Sequence, residues 1–254
     1  MMVLKGTRVK FFKFTGWDWP WLIHGFSTRW GGVSKREYSQ LNLAEKGDNP
    51  SNIRKNRALF LQEFGLVNPQ IFMGEQVHGT DLEVVKNNSP SILQGIDGLL
   101  TDIPQNVLMA FFADCVPLFF VVPDEKIVAI AHAGWKGTAN NIAGKTISYF
   151  VDCFQINPEK ISVGLGPAIG PCCYEVGEDV ADQFSRDKKY HHSGLDRFFI
   201  DLPGVNVSQL EDAGVPAANI GKSGFCTSCN PHLFYSYRRD RGKTGRMAGL
   251  IAII

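Results

Sequence analysis

VLMAFFADCVPLFFVVPDEKIVAIAHAGWKGTANNIAGK, residues 107–145, decides how this chain folds. Residues 107–113 and 118–122 are near-continuous apolar runs rich in Phe and Val, and a third run covers 127–131. Runs this short and this apolar suit strands covered on both faces. The second and third are separated by Pro123-Asp124-Glu125-Lys126, a polar four-residue turn, so the spacing predicts a hairpin. In that hairpin Val122 faces Ile127, Pro117 faces His132, and Cys115 lies two residues further along the same end. At a rise of ~3.3 Å per residue, the Cys115 and His132 backbones sit roughly 5–9 Å apart, and the two side chains can meet or share an ion. A free thiol beside a capped imidazole is the plainer alternative. Against it, an Asp, a Cys and a His gathered at one sheet end are costly to bury unpaired.

Composition bounds the rest. The chain has 254 residues, 44% hydrophobic and 20% charged, which suits a soluble α/β domain with a substantial core. A net charge of +1 gives no hint of nucleic acid or of an anionic membrane surface. The apolar run around 107–122 is broken by Asp114 and Pro117 and falls short of a membrane span. The amino terminus lacks an apolar segment long enough for a signal peptide. Six scattered cysteines are too few for a disulfide scaffold and fit a reducing cytoplasm, as free thiols or metal ligands.

Outward from the central stretch, the pattern is an alternation of short strands and helices without internal repeat, read as one domain over 1–254. Residues 10–14 open with an apolar run. Phe26-Ser27-Thr28-Arg29-Trp30-Gly31-Gly32-Val33-Ser34 reads as an anion cradle with Arg29, or as an ordinary Gly-rich turn. A helix is expected over 52–64, capped by Asn49 or Ser51. Strands are expected over 70–77, leading into His78, and over 82–85. The helix after the hairpin is predicted over 139–154, its amino end next to Lys136 forming a second candidate anion site. Beyond it come a strand at 161–165 and a rigid Gly/Pro loop at 166–177. Helices are expected at 178–184 and 205–212, strands at 198–202 and 220–225, and a polar loop at 188–196 with His191-His192. The apolar tail 245–254 is expected to tuck into a sheet.

His78, Cys115 and His132 would give three protein ligands with a fourth position open, the pattern of a catalytic rather than a structural zinc site. Asp114 is a candidate proton carrier, or a group that orients His132. Cys226-Thr227-Ser228-Cys229 lacks a second pair and reads as packed or inert, and Cys172-Cys173 as part of the rigid loop. The run Arg238–Arg241 reads as a solvated basic edge or as a phosphate contact.

The motifs QVHG, ADCVPLFF, HAGWKGT, GPAIGPCCYEVG and FYSYRRD…TGRMAG, in this order, resemble the laccase-domain, YfiH-like family. The resemblance runs from FSTRWGGVS nearly to the end. Members were first called multicopper polyphenol oxidoreductases and are now regarded as purine nucleoside phosphorylases with adenosine deaminase activity. The resemblance implies an α/β/β/α sandwich with mixed sheets and a metal triad on His78, Cys115 and His132. It implies zinc, with copper the alternative, and nucleoside and phosphate as substrates: adenosine, inosine and methylthioadenosine. Arg241 departs from the family pattern, which has a small residue there, often Gly; Glu75 before QVHG is a second departure. Arg29 and Lys136 are the candidate phosphate ligands. Two other functions compete: a Cys–His hydrolase or amidase with Cys115 as nucleophile, and a non-enzymatic metal-binding module. Multicopper phenol oxidation fits the chain poorly, because its six His include no His-x-His pair.

Overall fold

The computed structural model describes residues 1–44, 47–185, 189–191 and 197–254. In chain order its elements are β1 (Met2–Lys5), β2 (Phe11–Phe14), β3 (Leu22–Ser27), α1 (Pro50–Gln62), β4 (Gln70–Gly74), β5 (Leu82–Val84), β6 (Ile92–Leu93), β7 (Gly98–Thr101), β8 (Asn106–Phe112), β9 (Val116–Val122), β10 (Ile127–Ala133), α2 (Trp135–Ala139), α3 (Ile142–Phe154), β11 (Ser162–Leu165), β12 (Glu175–Val176), α4 (Glu178–Ala181), β13 (Lys189–His191), β14 (Phe198–Ile200), α5 (Leu202–Asp212), β15 (Ile220–Lys222) and β16 (Met247–Ile253). His192 and the rest of the expected polar loop, apart from the short strand β13, lie outside the described residues.

The hairpin has the register its turn dictates. β9 and β10 run antiparallel with Val122 opposite Ile127 and Pro117 opposite His132. They form the centre of a six-stranded sheet in the order β15-β11-β9-β10-β7-β5. A seven-stranded sheet, β1-β2-β3-β16-β8-β4-β6, faces it, and β12-β14-β13 make a small third sheet. Both large sheets are mixed: β4 is parallel to β6 and β8, β5 to β7 and β11 to β15.

Period-two alternation sorts the side chains into layers. On β9, Phe119 and Val121 point into the space between the sheets, where they meet Phe14, Phe26 and Phe112 of the opposite sheet. Leu118, Phe120 and Val122 point outward onto α3 and α5, packing with Ile147, Phe150 and Leu210. On the far side, Val107, Met109 and Leu250 pack with Phe60 and Leu61 of α1. The order is helix, sheet, sheet, helix, an α/β/β/α sandwich. Each fully buried Phe or Leu in these layers contributes about 1.5–3 kcal/mol. Among the described residues no helix is long and apolar enough to cross a membrane.

One expectation needs correction. The single helix over 139–154 is broken in two. Asn141 adopts φ +63° and ψ 45°, and its side chain accepts the Gly144 N–H to start α3 afresh. A left-handed residue cannot continue a right-handed helix. Lys136 therefore lies on the five-residue α2 and not beside the long helix's amino end. The apolar tail tucks into a sheet as expected: β16 is a central strand between β3 and β8.

Gly249 shows how closely the sheets approach. A Cβ on it would lie 2.7 Å from Ile130 Cδ1 and 2.8 Å from Phe119 Cζ. Gly249→Val should cost about 1–3 kcal/mol by overpacking, read as a lower urea midpoint with an unchanged slope. An unaltered midpoint would show that the gap between the sheets absorbs the side chain.

Candidate active site

His132 falls on the same face of β10 as Val128 and Ile130, so alternation aims it into the space between the sheets. Cys115 immediately precedes β9 and packs against that same layer. His78 enters from the other sheet, four residues after β4, with φ +63°. One ligand atom from each of the three lies within 4.8 Å of the others. The His78 and His132 rings meet edge to face with centroids 4.8 Å apart. Gly134 makes this approach possible: a Cβ there would lie 2.7 Å from His78 Cδ2 and 3.3 Å from Cys115 Sγ.

Asp97 orients the group. Its Oδ1 lies 2.7 Å from His132 Nδ1. The same carboxylate accepts the backbone N–H groups of Val77 (3.1 Å), His78 (3.1 Å) and Gly79 (2.7 Å). Burial opposes the charge on Asp97, yet the His132 contact and these N–H donors keep its carboxyl below the usual range. The bond at Nδ1 leaves His132 Nε2 to face the other two ligands. Burial likewise opposes ionisation of Cys115, but the neighbouring His132 draws its thiol down to about 6. Against its own desolvation, His132 is raised to about 9 by Cys115 and Asp97. The sequence gives little sign of Asp97. It becomes visible once β7 and β10 are known to pair with Gly98 opposite Ala131, since the next position along sets Asp97 against His132.

Asp114 does not orient His132. With φ +88°, it turns its carboxylate the other way, accepting Thr227 Oγ1 (2.6 Å), Ser236 Oγ (3.0 Å) and the Arg238 N–H (2.7 Å). It still forms part of the wall of a cavity of about 520 Å³ onto which His78, Cys115 and His132 open. Phe111, Trp135, Tyr174 and Tyr237 supply flat aromatic walls, and the cations are Arg238 and Arg246. Arg238 lies over the Tyr174 ring, 5.1 Å from its centroid, and donates to the Glu175 carbonyl. Arg246 is half-buried, and its guanidinium donates through Nη1 to the Thr244 and Gly245 carbonyls. Gln76 fixes the rim by exchanging two 2.8 Å hydrogen bonds with the Phe111 backbone, as a strand partner would.

Arg29 and Lys136 are not among the residues lining this cavity. Arg29 lies over the Tyr235 ring, 4.6 Å from its centroid, and donates to the Pro231 carbonyl, so it holds loops together. Lys136 is exposed, its Nζ 5.5 Å from the Trp135 ring centroid. The run 238–241 is not one solvated edge. Arg238 faces the cavity, Arg239 is half-buried in an ion pair with Asp240, and only Arg241 is a plain surface residue. Arg241 has φ +51°, which explains why a small residue, often Gly, is expected there. The lone Cys226/Cys229 pair is not alone either: the fold brings Cys172 and Cys173 beside it.

Two imidazoles and a thiolate, gathered by a carboxylate that fixes one ring's tautomer, are the donor set of a borderline-soft divalent ion. Asp97→Asn removes the charge and turns an acceptor into a donor. Zinc affinity should fall about 10- to 100-fold, measured by competition with a chromophoric chelator, with the circular dichroism spectrum retained. Unchanged affinity would mean that packing alone orients His132.

Residues 23–254 match the family described as multi-copper polyphenol oxidoreductase laccase. The chain is 37% identical to the purine nucleoside phosphorylase YlmD of Geobacillus stearothermophilus, over 90% of this chain and 89% of that protein. It is 36% identical to the purine nucleoside phosphorylase YfiH of Escherichia coli, over 90% and 92%. Among solved structures, it superposes on YlmD of G. stearothermophilus with a TM-score of 0.92 at 34% identity, covering 100% and 99% of the two chains. The YfiH protein of Bacillus licheniformis gives 0.93 at 32%, covering 99% of each. With a match across both large sheets and the whole candidate site, this chain belongs to the multi-copper polyphenol oxidoreductase laccase, YfiH-like, family.

Proposed function

We propose that this chain is a zinc-dependent purine nucleoside phosphorylase that also deaminates adenosine. Its substrates would be adenosine, inosine and methylthioadenosine, with phosphate as co-substrate. The observation that carries the reading is the opening of His78, Cys115 and His132 onto one cavity that holds both aromatic walls and guanidinium groups. Its volume, about 520 Å³, suits a ligand of nucleoside size. The names carried by the similar proteins from G. stearothermophilus and E. coli support the phosphorylase part.

When bound at the triad, zinc would supply Lewis acidity and water activation near neutral pH. The chain's own groups do the rest. The flat faces of Phe111, Trp135, Tyr174 and Tyr237 offer stacking surfaces for a purine. In phosphorolysis the bond from the ribose anomeric carbon to the base nitrogen breaks, a bond from that carbon to a phosphate oxygen forms, and the base leaves with a proton. Arg246 and Arg238 would hold the phosphate, in place of Arg29 and Lys136, because they are the cations in the cavity wall. Asp114, the carboxyl group of that wall, is the candidate to move the proton.

A thiol hydrolase is the second reading, because Cys115, His132 and Asp97 also stand in the order of nucleophile, base and orienting acid. His78 separates the two: a third ligand serves a metal site and has no role in that relay. Alkylation of Cys115 by iodoacetamide should be rapid in metal-stripped protein and suppressed by zinc.

The test is a pair of assays, phosphate-dependent base release from inosine and ammonia release from adenosine without phosphate. Cys115→Ala should abolish both without unfolding the chain. Arg246→Ala should raise the apparent phosphate constant roughly 10- to 150-fold, the worth of one charged hydrogen bond, with a much smaller change in ammonia release. Zinc-loaded protein that releases no base from any purine nucleoside would overturn the reading.

A further inference from the structure

Four of the six cysteines stand together outside the candidate active site. Cys172, Cys173, Cys226 and Cys229 each place a sulfur within 4.8 Å of the other three. Cys229 Sγ lies 3.6 Å from Cys172 Sγ and 3.4 Å from Cys173 Sγ. Four sulfurs around a tetrahedral ion at the usual Zn–S distance of ~2.3 Å would stand about 3.8 Å apart, so these spacings need only small adjustment.

Topology brings the two pairs together. β11 and β15 are parallel neighbours, so the loops that follow them leave the sheet at the same end. The pairing extends beyond the strands. Ala168 bridges Cys226, the Ala168 N–H donates to the Phe225 carbonyl (3.3 Å), and the Thr227 N–H donates to the Ala168 carbonyl (2.9 Å). A tight turn follows, in which Cys173 and Tyr174 both donate to the Gly170 carbonyl at 3.0 Å, and this turn presents Cys172 and Cys173 to the other loop. Gly170 donates its own N–H to Cys226 Sγ at 3.3 Å. N–H groups aimed at sulfur are what a thiolate carrying the charge of a metal centre requires.

We propose that Cys172, Cys173, Cys226 and Cys229 form a second metal site, a closed tetrathiolate holding one structural zinc ion. Four thiolates leave no open position, so the ion binds no substrate. Its effect is to staple the loop that carries Ile169 and Tyr174 to the loop that carries Thr227. Ile169 and Tyr174 line the cavity, and Thr227 holds the Asp114 carboxylate. A disulfide would be the alternative use of these sulfurs. It could join Cys229 to only one of the adjacent cysteines and would leave the other pair of thiols unexplained.

Protein purified under reducing conditions in the Cys115→Ala background, where the candidate active site has lost a ligand, should retain one tightly held zinc per chain. Adding Cys172→Ser and Cys229→Ser should remove it and lower the melting temperature. Cobalt reconstitution of the Cys115→Ala protein should give the intense sulfur-to-cobalt charge transfer and tetrahedral ligand-field bands of four thiolate ligands. A wild-type sample prepared without reductant, then denatured with chelator, should titrate as six free thiols, the full count in the chain. Cys115→Ala protein without tightly bound metal would overturn the proposal whether or not the serine variant folds. So would iron in place of zinc, or two thiols missing from the titration. None of these readouts depends on turnover, so the proposal stands or fails independently of the nucleoside reading.

Discussion

The carboxylate of Asp97 is the contact on which the candidate site depends. It lies just before β7 in one sheet, and its three backbone donors, Val77 to Gly79, follow β4 in the other. One buried charge thus joins the ends of two sheets that otherwise meet through apolar side chains. Such a charge is tolerable only when fully hydrogen-bonded. Here the His132 ring and the three N–H groups meet that need. The dependence is mutual. Without the carboxylate, the turn that holds His78 in a left-handed conformation has three orphaned donors, and His132 has no fixed tautomer. The geometry of the His78, Cys115 and His132 group and the junction of the sheets rest on the same few atoms.

What the sequence disclosed follows from how local each feature is. The register of β9 and β10 was legible because one polar turn fixes it, and the approach of Cys115 to His132 came with it. The layered α/β/β/α order and the family were legible from motifs that run along most of the chain. Asp97 was not, because its partner is set by the pairing of β7 with β10, which no turn fixes. The break at Asn141 was hidden because the periodic apolar positions begin only at Ile142; the left-handed backbone of Asn141 is what separates α3 from α2. The four cysteines looked like two weak features because their meeting requires β11 and β15 to be parallel neighbours, 57 residues apart at Cys172 and Cys229. Arg29 looked like an anion ligand from its glycine neighbours, yet the Tyr235 ring and the Pro231 carbonyl occupy it.

The family description speaks of several copper ions, and the donors bear on that chemistry. Among the described residues, the groups of three or more side chains that could hold a metal number two, one with two imidazoles and a thiol and one with four thiols. A multicopper oxidase centre needs many imidazoles, arranged for a type-one site and a trinuclear cluster. His24, a further imidazole, is buried with its Nε2 accepting the Phe14 N–H, and burial depresses it to about 3, so it is a neutral core residue. His232 is exposed and is not a member of either group. The donor sets of these two groups lack the many imidazoles that an electron-transfer copper array uses. Fold likeness alone could not decide this, since function resides in the site.

Behind the cavity, the segment from Cys226 to Arg246 works as one polar brace. Arg239 donates to the Thr227 and Ser228 carbonyls and to the Phe234 carbonyl, and it grips Asp240 through two 2.8 Å contacts. Asp240 in turn accepts Thr244 Oγ1 at 2.8 Å, and the Thr244 carbonyl accepts Arg246 Nη1 at 2.8 Å. The chain of contacts runs from the cysteine cluster, past the hydroxyl that holds Asp114, to the guanidinium that faces the cavity. A planar fork in Arg239 suits this role better than an ammonium, since several acceptors in different directions must be met at once. The run of basic residues, which by composition resembled a solvated edge, is thus divided by geometry. Arg238 and Arg246 line the cavity, and Arg239 is consumed in holding both of their segments in place.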